Sequence, residues 1–281
     1  MFARTSRQRV KAAMPDTPRG GGFRRDALRG GTSMPHRALI STLALLAFFS
    51  AWEILPRAGL VDATLTSRPS HVLAAGLEIV SGPQFLHDIS VSLSELGIGF
   101  GLAVLTGVSA GLLLGTFAVM RNLLDPLIMA IYATPHLALL PIFVVWLGIG
   151  LESKIAVVFI GGIIPIIVNT TAGVREVERS WVLAARSFCA GKRDVFLKVI
   201  LPAALPAVVM GIRLGLSRAV LGMVVAEMYQ SQAGIGNEIM RYGSAFRTDY
   251  LLFYVLLVSA FGFAATAGVR LLEQRLWVSG K

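Results

Sequence analysis

Two arginines, Arg213 and Arg218, lie inside the apolar stretch from Ala204 to Ala226. On an α-helix that starts near Ala204 they would lie about 14 Å and about 21 Å along the axis, and about 140° apart around it. A charge at that depth is costly and usually faces protein or water. We expect Arg213, with Ser217 one turn further on its face, to meet an anion in a water-filled pathway, and Arg218 to bond backbone carbonyls. In the alternative interpretation, both arginines are packing anchors paired within the protein.

The remaining reactive groups form no catalytic or metal-binding pattern. The sequence has one cysteine, Cys189, and its histidines are scattered, without the spacing of a Cys/His metal site or an HExxH motif. It also lacks the G-x-x-x-x-G-K-[ST] loop that cradles nucleotide phosphates. An intramembrane enzyme would need a convergent acid/base or metal group, and the sequence offers none. We therefore expect no catalytic residue, no metal site and no cofactor.

Composition places the chain in a membrane. Of its 281 residues, 55% are hydrophobic and 15% are charged, and the mean hydropathy is +0.70, a balance that a soluble domain would struggle to keep off its surface. The net charge of +10 could suggest nucleic acid, but the basic residues lie between long apolar runs instead of on one solvated face. The positive charge is better explained as a signal that orients the chain in the membrane, and no nucleic-acid partner is expected.

Six apolar stretches are long enough to cross about 30 Å of hydrocarbon as helices. They run approximately from Ala38 to Leu55, Leu93 to Phe117, Leu124 to Leu147, Ile155 to Thr171, Ala204 to Ala226 and Leu251 to Val269. The segments predicted to lie inside the cell carry nineteen basic residues, and those predicted outside carry five. The positive-inside rule then places both termini in the cytoplasm. The predicted fold is an all-α membrane protein with six transmembrane helices, N-in and C-in.

A tail and two long connections lie outside these spans. Residues 1–37 carry nine basic and two acidic residues and cannot bury enough apolar area to fold alone, so we expect a disordered cytoplasmic tail before a membrane domain over residues 38–281. A cleaved signal peptide is the alternative, but the tail is long and no clear A-x-A site follows it. The outer connection, Pro56 to Ser92, is expected to hold a short helix near the interface. The inner connection, residues 172–201, mixes charges with apolar residues, which is typical of amphipathic surface helices.

The inner connection also carries a motif. Leu183-Ala184-Ala185 is followed after three residues by Cys189, and after nine more by Val199-Ile200-Leu201-Pro202. This spacing resembles the EAA loop of binding-protein-dependent ABC importer permeases, which reads Glu-Ala-Ala, three residues, Gly, nine residues, Ile-x-Leu-Pro. Leu183 replaces the usual glutamate and Cys189 the usual glycine, with Gly191 two residues on. In the alternative interpretation the loop is a generic amphipathic segment whose small residues occur by chance.

Other segments strengthen the resemblance and narrow it to the subgroup that imports nitrate, sulfonates, taurine or related small solutes. They are Pro135 to Pro141, Trp146 to Gly150, Leu201 to Pro206, Val224 to Met228 and Gly234 to Gly236. The resemblance implies a type I ABC importer transmembrane domain in the bacterial inner membrane. It implies a homodimer, or a pair of similar permeases, around one pathway, with two cytoplasmic ATPase subunits and an external binding protein. The residues implied in ATPase coupling are Leu183, Ala184, Ala185, Cys189, Gly191, Leu201 and Pro202.

Other features of the spans allow more than one interpretation. Pro135 and Pro141 would interrupt the third span and free carbonyls near Ile131 and Leu137, either to line a cavity or as packing kinks. His136, between the prolines, could face the pathway or be a packing histidine. The glycines of the second span favour close helix packing. Glu53 and Glu95 are expected to be solvated near span ends.

Three other functions remain as alternatives. A secondary transporter or channel would work without ATP, against which the EAA-like loop argues. An intramembrane enzyme would need the reactive cluster that the sequence lacks. A membrane scaffold would need neither proline-broken spans nor intramembrane arginines. The substrate stays open among nitrate, alkyl sulfonates, taurine and pyrimidine vitamin precursors.

Overall fold

The structure, a computed structural model, describes the backbone of residues 34–278 and the side chains of residues 39–62, 65–271 and 273. This part of the chain is helical and contains no strand. The helices are α1 (Met34–Arg57), α2 (Ala63–Thr66), α3 (Pro69–Ser81), α4 (Pro83–Thr116), α5 (Ala118–Ala133), α6 (Leu140–Leu147), α7 (Leu151–Arg175), α8 (Arg179–Ser187), α9 (Lys192–Val195), α10 (Leu201–Gln230), α11 (Ile235–Ser244) and α12 (Thr248–Val278). The predicted tail lies outside the described residues, except for its last four residues, which begin α1.

The predicted spans coincide with long apolar helices. Five helical segments are long and apolar enough to cross a membrane: α1 from Leu39, α4, α7, the continuous helix Lys192–Gln230, and α12 as far as Leu271. A sixth span is formed if α5 and residues 136–147 are counted as one, although these two halves meet at an angle of 88°. Each of the six predicted stretches falls on one of these segments, so the all-α membrane fold is confirmed.

The third span is broken at Pro135, as the sequence predicts. The prediction that carbonyls near Ile131 and Leu137 are free is wrong. The prolines have no N–H to donate to these carbonyls, but the amides of nearby residues donate to them instead. The Thr134 amide donates to the Ile131 carbonyl at 3.1 Å, and the Leu140 amide donates to the Leu137 carbonyl across the 3₁₀ turn His136–Leu139. Such tighter i to i+3 bonds satisfy backbone groups where an α-helix ends.

The chain divides into two compact units, residues 1–51 and residues 52–281. In the first unit, the described part of α1 has large apolar side chains exposed on every face, which is typical of a helix in lipid. They include Leu39, Ile40, Leu43, Leu46, Phe48 and Phe49. In the second unit α7 is the central helix, buried between α4 and α10.

Glycines on α4 set the distance between α4 and α7. A Cβ atom added at Gly111 would lie 2.5 Å from Cβ of Thr170, and one added at Gly115 would lie 2.5 Å from Cβ of Val174. Gly99 and Gly107 face α7 in the same way, whereas Gly97 and Gly101 have open space beside them. Small residues allow helices to approach closely in a membrane. The packing interpretation of these glycines is therefore confirmed for the face of α4 that contacts α7.

Gly111→Leu and Gly101→Leu form a matched pair that tests this packing. Gly111→Leu is expected to separate α4 from α7 and to lower the free energy of unfolding by about 2 kcal/mol or more, as overpacking does in tight cores. Gly101→Leu adds the same volume to the same helix where there is room, so it should leave stability unchanged. SDS titration of the detergent-solubilised protein measures both. Equal losses in the two variants would contradict the packing model.

Candidate coupling segment and membrane pathway

Five of the predicted coupling residues lie in the segment between two helices of the core, and the other two, Leu201 and Pro202, begin α10. α7 ends at Arg175, α8 follows after three residues, and the helix that leads into α10 begins at Lys192. This start lies nine residues before Leu201, the first residue of the Leu-Pro pair at which the motif would restart a membrane helix. The helix continues through Pro202 without a break because a π-helical turn over Phe196–Ile200 precedes this proline. In that turn the Leu201 amide donates to the Phe196 carbonyl.

The helix α8 has no buried residue, although its sequence is strongly amphipathic. Leu183 is 53% exposed, Ala184 is also exposed, and Ala185 is half-buried. Trp181 and Phe188 leave further apolar surface uncovered, and Phe188 is 88% exposed. An amphipathic helix normally buries its apolar stripe against another element. The apolar side of α8 lacks such a cover within the described part of this chain.

The end of α8 explains why the motif has glycine where this chain has Cys189. Cys189 has a φ of +59°, its amide donates to the Arg186 carbonyl at 2.9 Å, and the Ala190 amide donates to the Ala185 carbonyl at 3.1 Å. These two bonds and the left-handed residue form a Schellman C-cap, in which glycine is the usual residue. Gly191, with a φ of −68°, does not supply the left-handed conformation. The turn of the motif is therefore present without its glycine.

A group of buried polar residues joins α4, α7 and α10 at the end of the helices that the charge asymmetry places outside the cell, here called the outer end. We call it the outer charge cluster; its members are Asp88, Ser92, Glu95, Lys154 and Glu227. Their exposed fractions range from 0% to 6%. Lys154 forms an ion pair with Glu95, and its Nζ donates to Oγ of Ser231 at 3.0 Å. The expectation that Glu95 is solvated is wrong, since it is fully buried against a lysine from another helix.

The cluster also holds the turn between α10 and α11. Glu227 accepts one hydrogen bond from the Ser92 hydroxyl at 2.6 Å and another from the Gly236 amide at 2.7 Å. Oδ1 of Asp88 accepts from the Gly234 amide at 2.9 Å, and the Ile235 amide donates to Oγ of Ser92 at 3.0 Å. The first amides of α11, which have no partner inside a helix, are thus satisfied by side chains of α4 and α10. Asp88, Ser92 and Lys154 were not singled out from the sequence, because their partners lie far away along the chain.

The four predicted pathway residues separate into two places. His136 and Arg218 line one polar pocket, together with Tyr132, Thr134, Ile131, Ile160, Gly161, Ile164 and Pro165. Nη1 of Arg213 instead lies 3.8 Å from Oε2 of Glu273 on α12. The Arg213 guanidinium also donates to the sulfur of Met210 at 2.9 Å. The Ser217 hydroxyl donates to the Arg213 carbonyl at 3.3 Å, and Ser217 lines an apolar groove between α10 and α12.

Comparison with known proteins agrees with this arrangement. Residues 103–278 match the family described as the binding-protein-dependent transport system inner membrane component. The chain belongs to this family of permeases. Among curated relatives, the putative aliphatic sulfonates transport permease of Bacillus subtilis is 32% identical over 225 residues, covering 80% of this chain and 82% of the relative. The taurine transport system permease of Escherichia coli is 32% identical over 243 residues (84% and 87%), and the nitrate import permease of Leptolyngbya laminosa is 27% identical over 250 residues (85% and 88%).

Solved structures show the same fold. The methionine ABC transporter MetNI in inward-facing crystals contains a chain that superposes with a TM-score of 0.55 at 20% identity, over 66% of this permease and 95% of that chain. An amino acid ABC transporter crystallised with histidines gives 0.53 at 19% identity, over 69% and 94%. The permease therefore has the fold of type I ABC importer transmembrane domains. It is a multi-pass inner-membrane transport subunit that works with an ATPase and a substrate-binding protein, and it is not itself an enzyme.

Substituting Cys189 tests the Schellman cap in the permease. Cys189→Gly should stabilise the end of α8 by about 1 kcal/mol, because a left-handed conformation costs an L-residue about that much and glycine nothing. Slower amide hydrogen exchange in residues 179–187 would report the gain. Cys189→Ala removes the same thiol but retains a Cβ at positive φ, so it should give no gain. Equal protection in the two variants would rule out this explanation.

Substituting Lys154 tests the ion pair of the outer charge cluster. Lys154→Met should lower the free energy of unfolding by about 3 kcal/mol or more, because it leaves Glu95 buried without its cation. Adding Glu95→Leu should recover most of the loss by removing the orphaned charge. Lys198→Met is the control: it breaks an i, i+4 pair with Asp194 whose side chains are 76% and 52% exposed, and should cost at most about 1 kcal/mol. The same cost in Lys154→Met and Lys198→Met, measured by SDS titration, would contradict a structural role for the buried pair.

Proposed function

We propose that this permease forms, with a second permease subunit, the membrane pathway of an importer for a small anion, and that α8 transmits the work of two ATPase subunits to it. The second subunit is an identical copy in the simplest assembly. An external binding protein delivers the solute at the outer end. The observation that carries the proposal is the exposed apolar side of α8, which faces the cytoplasm in the predicted orientation.

The shape of the coupling segment supports docking in a cleft. Ala184 and Ala185 keep the middle of α8 narrow, so a partner surface can approach the backbone, while Leu183 and Phe188 offer apolar contacts on either side. The Schellman cap at Cys189 and the extended Gly191 fix the direction in which the chain leaves α8. A segment of this form is typical of a helix that inserts into a groove of a partner.

The connections of α8 support a role in transmission. Only residues 176–178 separate α8 from α7, and residues 188–191 separate it from the helix that continues into α10 as far as Gln230. A displacement of α8 is therefore passed to the two helices that pack most extensively against each other. Rigid-body movement of packed helices is a common way to change the side to which a pathway opens. Leu201 and Pro202 lie on this continuous helix and would move with α8.

The solute class follows from the relatives and agrees with the charges of the spans. The named relatives transport taurine, aliphatic sulfonates and nitrate. Nitrate and the sulfonate group share one negative charge delocalised over three oxygen atoms. The membrane-embedded part of this permease contains arginines in α10, one of which lines a polar pocket beside His136. A fixed cation on the path favours an anion and must bind it weakly enough to release it.

Ala185→Trp tests the coupling role. The bulky side chain should prevent close seating of α8, so that the ATPase no longer co-purifies and ATP-driven uptake falls by about tenfold or more, which corresponds to the loss of a central contact at an interface. Leu77→Trp is the matched control: Leu77 is 75% exposed on α3, and the substitution adds an indole away from the inner segment. The measurement is co-purification of the ATPase and uptake in reconstituted vesicles, with membrane insertion checked for both variants. Normal uptake and normal co-purification in Ala185→Trp would refute the assignment.

A further inference from the structure

We propose that the exposed guanidinium of Arg218 binds the translocated oxyanion midway through the membrane, at the mouth of the small pocket that Arg218 shares with His136, and that Arg213 has no part in binding it. This inference rests on the proposed import of a small anion. It assigns the positive charge to Arg218, hydrogen-bond donation to the exposed Tyr132 hydroxyl, and a place in the pocket wall to His136. It reverses the roles that helix geometry alone suggested for the two arginines.

The pocket lies at the right depth for a site that is reached from either side. Arg218 is twelve residues from the outer end of α10 and Gly161 is ten residues from the outer end of α7, which correspond to about 18 Å and about 15 Å along the two axes. The hydrocarbon core is about 30 Å thick, so both residues lie near its middle. The break of the third span at Pro135 places His136 beside them.

Arg218 carries a charge that no other described residue neutralises. Within the residues that the structure describes, its guanidinium has neither a carboxylate nor a hydrogen-bond partner, and its side chain is exposed in the single chain. An ionised side chain at this depth is stable only when it meets water or an opposite charge. The contrast with Arg213 is direct, because Arg213 lies on the same helix and is paired with Glu273. Arg218 is thus the cation that remains available to a solute.

The neighbours of Arg218 add one accessible hydrogen-bond donor to this charge. Nε2 of His136 is buried and lacks a hydrogen-bond partner among the described residues. Tyr132 is 50% exposed and its hydroxyl makes no hydrogen bond to a described residue. The Thr134 hydroxyl is occupied, since it donates to the Ala130 carbonyl at 2.8 Å. The Tyr132 hydroxyl is therefore the donor beside the guanidinium that an oxyanion can reach, whereas the buried Nε2 of His136 lies in the wall of the pocket.

A glycine lets α7 pack closely against His136 and α10 at this pocket. A Cβ atom added at Gly161 would lie 3.3 Å from Nε2 of His136 and 3.1 Å from the Arg218 carbonyl. Any side chain at Gly161 would therefore press on the imidazole ring. The absence of a side chain lets α7 pack against the imidazole ring and the α10 backbone, which holds His136 and Arg218 beside the same pocket.

The lining also sets the charge of the ligand. It contains one arginine and no carboxylate, so a monovalent anion neutralises the site, whereas a solute cation would meet only the arginine charge. The planar fork of arginine donates two parallel hydrogen bonds to adjacent oxygens of one group. We therefore expect the ligand to present a nitrate-like or sulfonate-like group to Arg218. A single ion pair with few donors holds such a group weakly enough for transport.

The test uses the complete importer in vesicles, with its ATPase and binding protein, and measures ATP-driven uptake of nitrate and of ethanesulfonate. Arg218→Gln should reduce uptake of the transported probe by about tenfold or more, as expected for the loss of a charged hydrogen bond. Hydrolysis of ATP stimulated by the binding protein should stay within about twofold, because the coupling segment is unchanged. Arg218→Lys retains the charge without the fork and should give an intermediate rate.

The matched control is the double variant Arg213→Gln/Glu273→Gln, which removes the other intramembrane arginine together with its partner. Its uptake should stay within about twofold of the unsubstituted protein, as for substitutions outside a binding site. Gly161→Ala is a second, independent probe that retains both arginines. Its added methyl group should slow ethanesulfonate more than nitrate, since the sulfonate is bulkier.

The outcomes separate this inference from the function on which it rests. Unchanged uptake in Arg218→Gln, or an equal loss in the Arg213/Glu273 double variant, would overturn the assignment to Arg218 and leave anion import intact. Failure of the unsubstituted importer to transport either anion, with ATP-driven uptake of an uncharged solute, would overturn the proposed function itself. If Arg218→Gln does not insert into the membrane, Gly161→Ala decides: equal rates for both probes would overturn the site.

Discussion

Pairing of buried charge at the outer end of the helices is the constraint on which the rest of this structure depends. Lys154 cannot be buried without Glu95, and Glu227 cannot be buried without the hydroxyl and amide that point at it. These requirements fix α4, α7 and α10 relative to one another at one end. They also hold the start of α11, whose Tyr242 stacks on Tyr250 of α12 with ring centroids 4.8 Å apart. The outer end is therefore a connected assembly of buried polar groups.

The inner end is built in the opposite way. α8 has no buried residue, packs chiefly against the helical segments that follow it in the chain, and ends in a strained left-handed cysteine. Segments with few buried contacts are the ones that move at low cost in free energy. α7 and α10 run from this end to the outer charge cluster. A displacement of α8 therefore moves the inner ends of two helices whose outer ends are held by that cluster. The polar pocket beside Arg218 lies between the two, where a small rotation changes its opening.

Hydropathy, charge distribution and motif spacing predicted most of this architecture. The six apolar stretches, the close packing of α4 glycines and the break at Pro135 are all properties that a short window of sequence determines, and they are confirmed. The 88° bend, the capture of freed carbonyls and the burial of Glu95 depend on contacts between segments. Glu95 and Lys154 are 59 positions apart, so no local pattern shows that they meet. Helix geometry likewise placed Arg213 and Arg218 on different sides of α10 but could not show that Glu273 reaches the first of them.

The distance along the chain between Glu95 and Lys154 has a consequence for biosynthesis. The polypeptide is made from its N-terminus at roughly 5–20 residues per second, so α4 leaves the ribosome several seconds before α7 exists. During this interval Glu95 has no lysine to meet, and a lone carboxylate is poorly tolerated in lipid. The nascent α4 must therefore remain with its outer part in water, or beside the insertion machinery, until α7 arrives. Because α7 follows α4 and precedes α10 in the chain, synthesis of α7 is the point from which α4 can insert fully into the bilayer, and α10 can do so later.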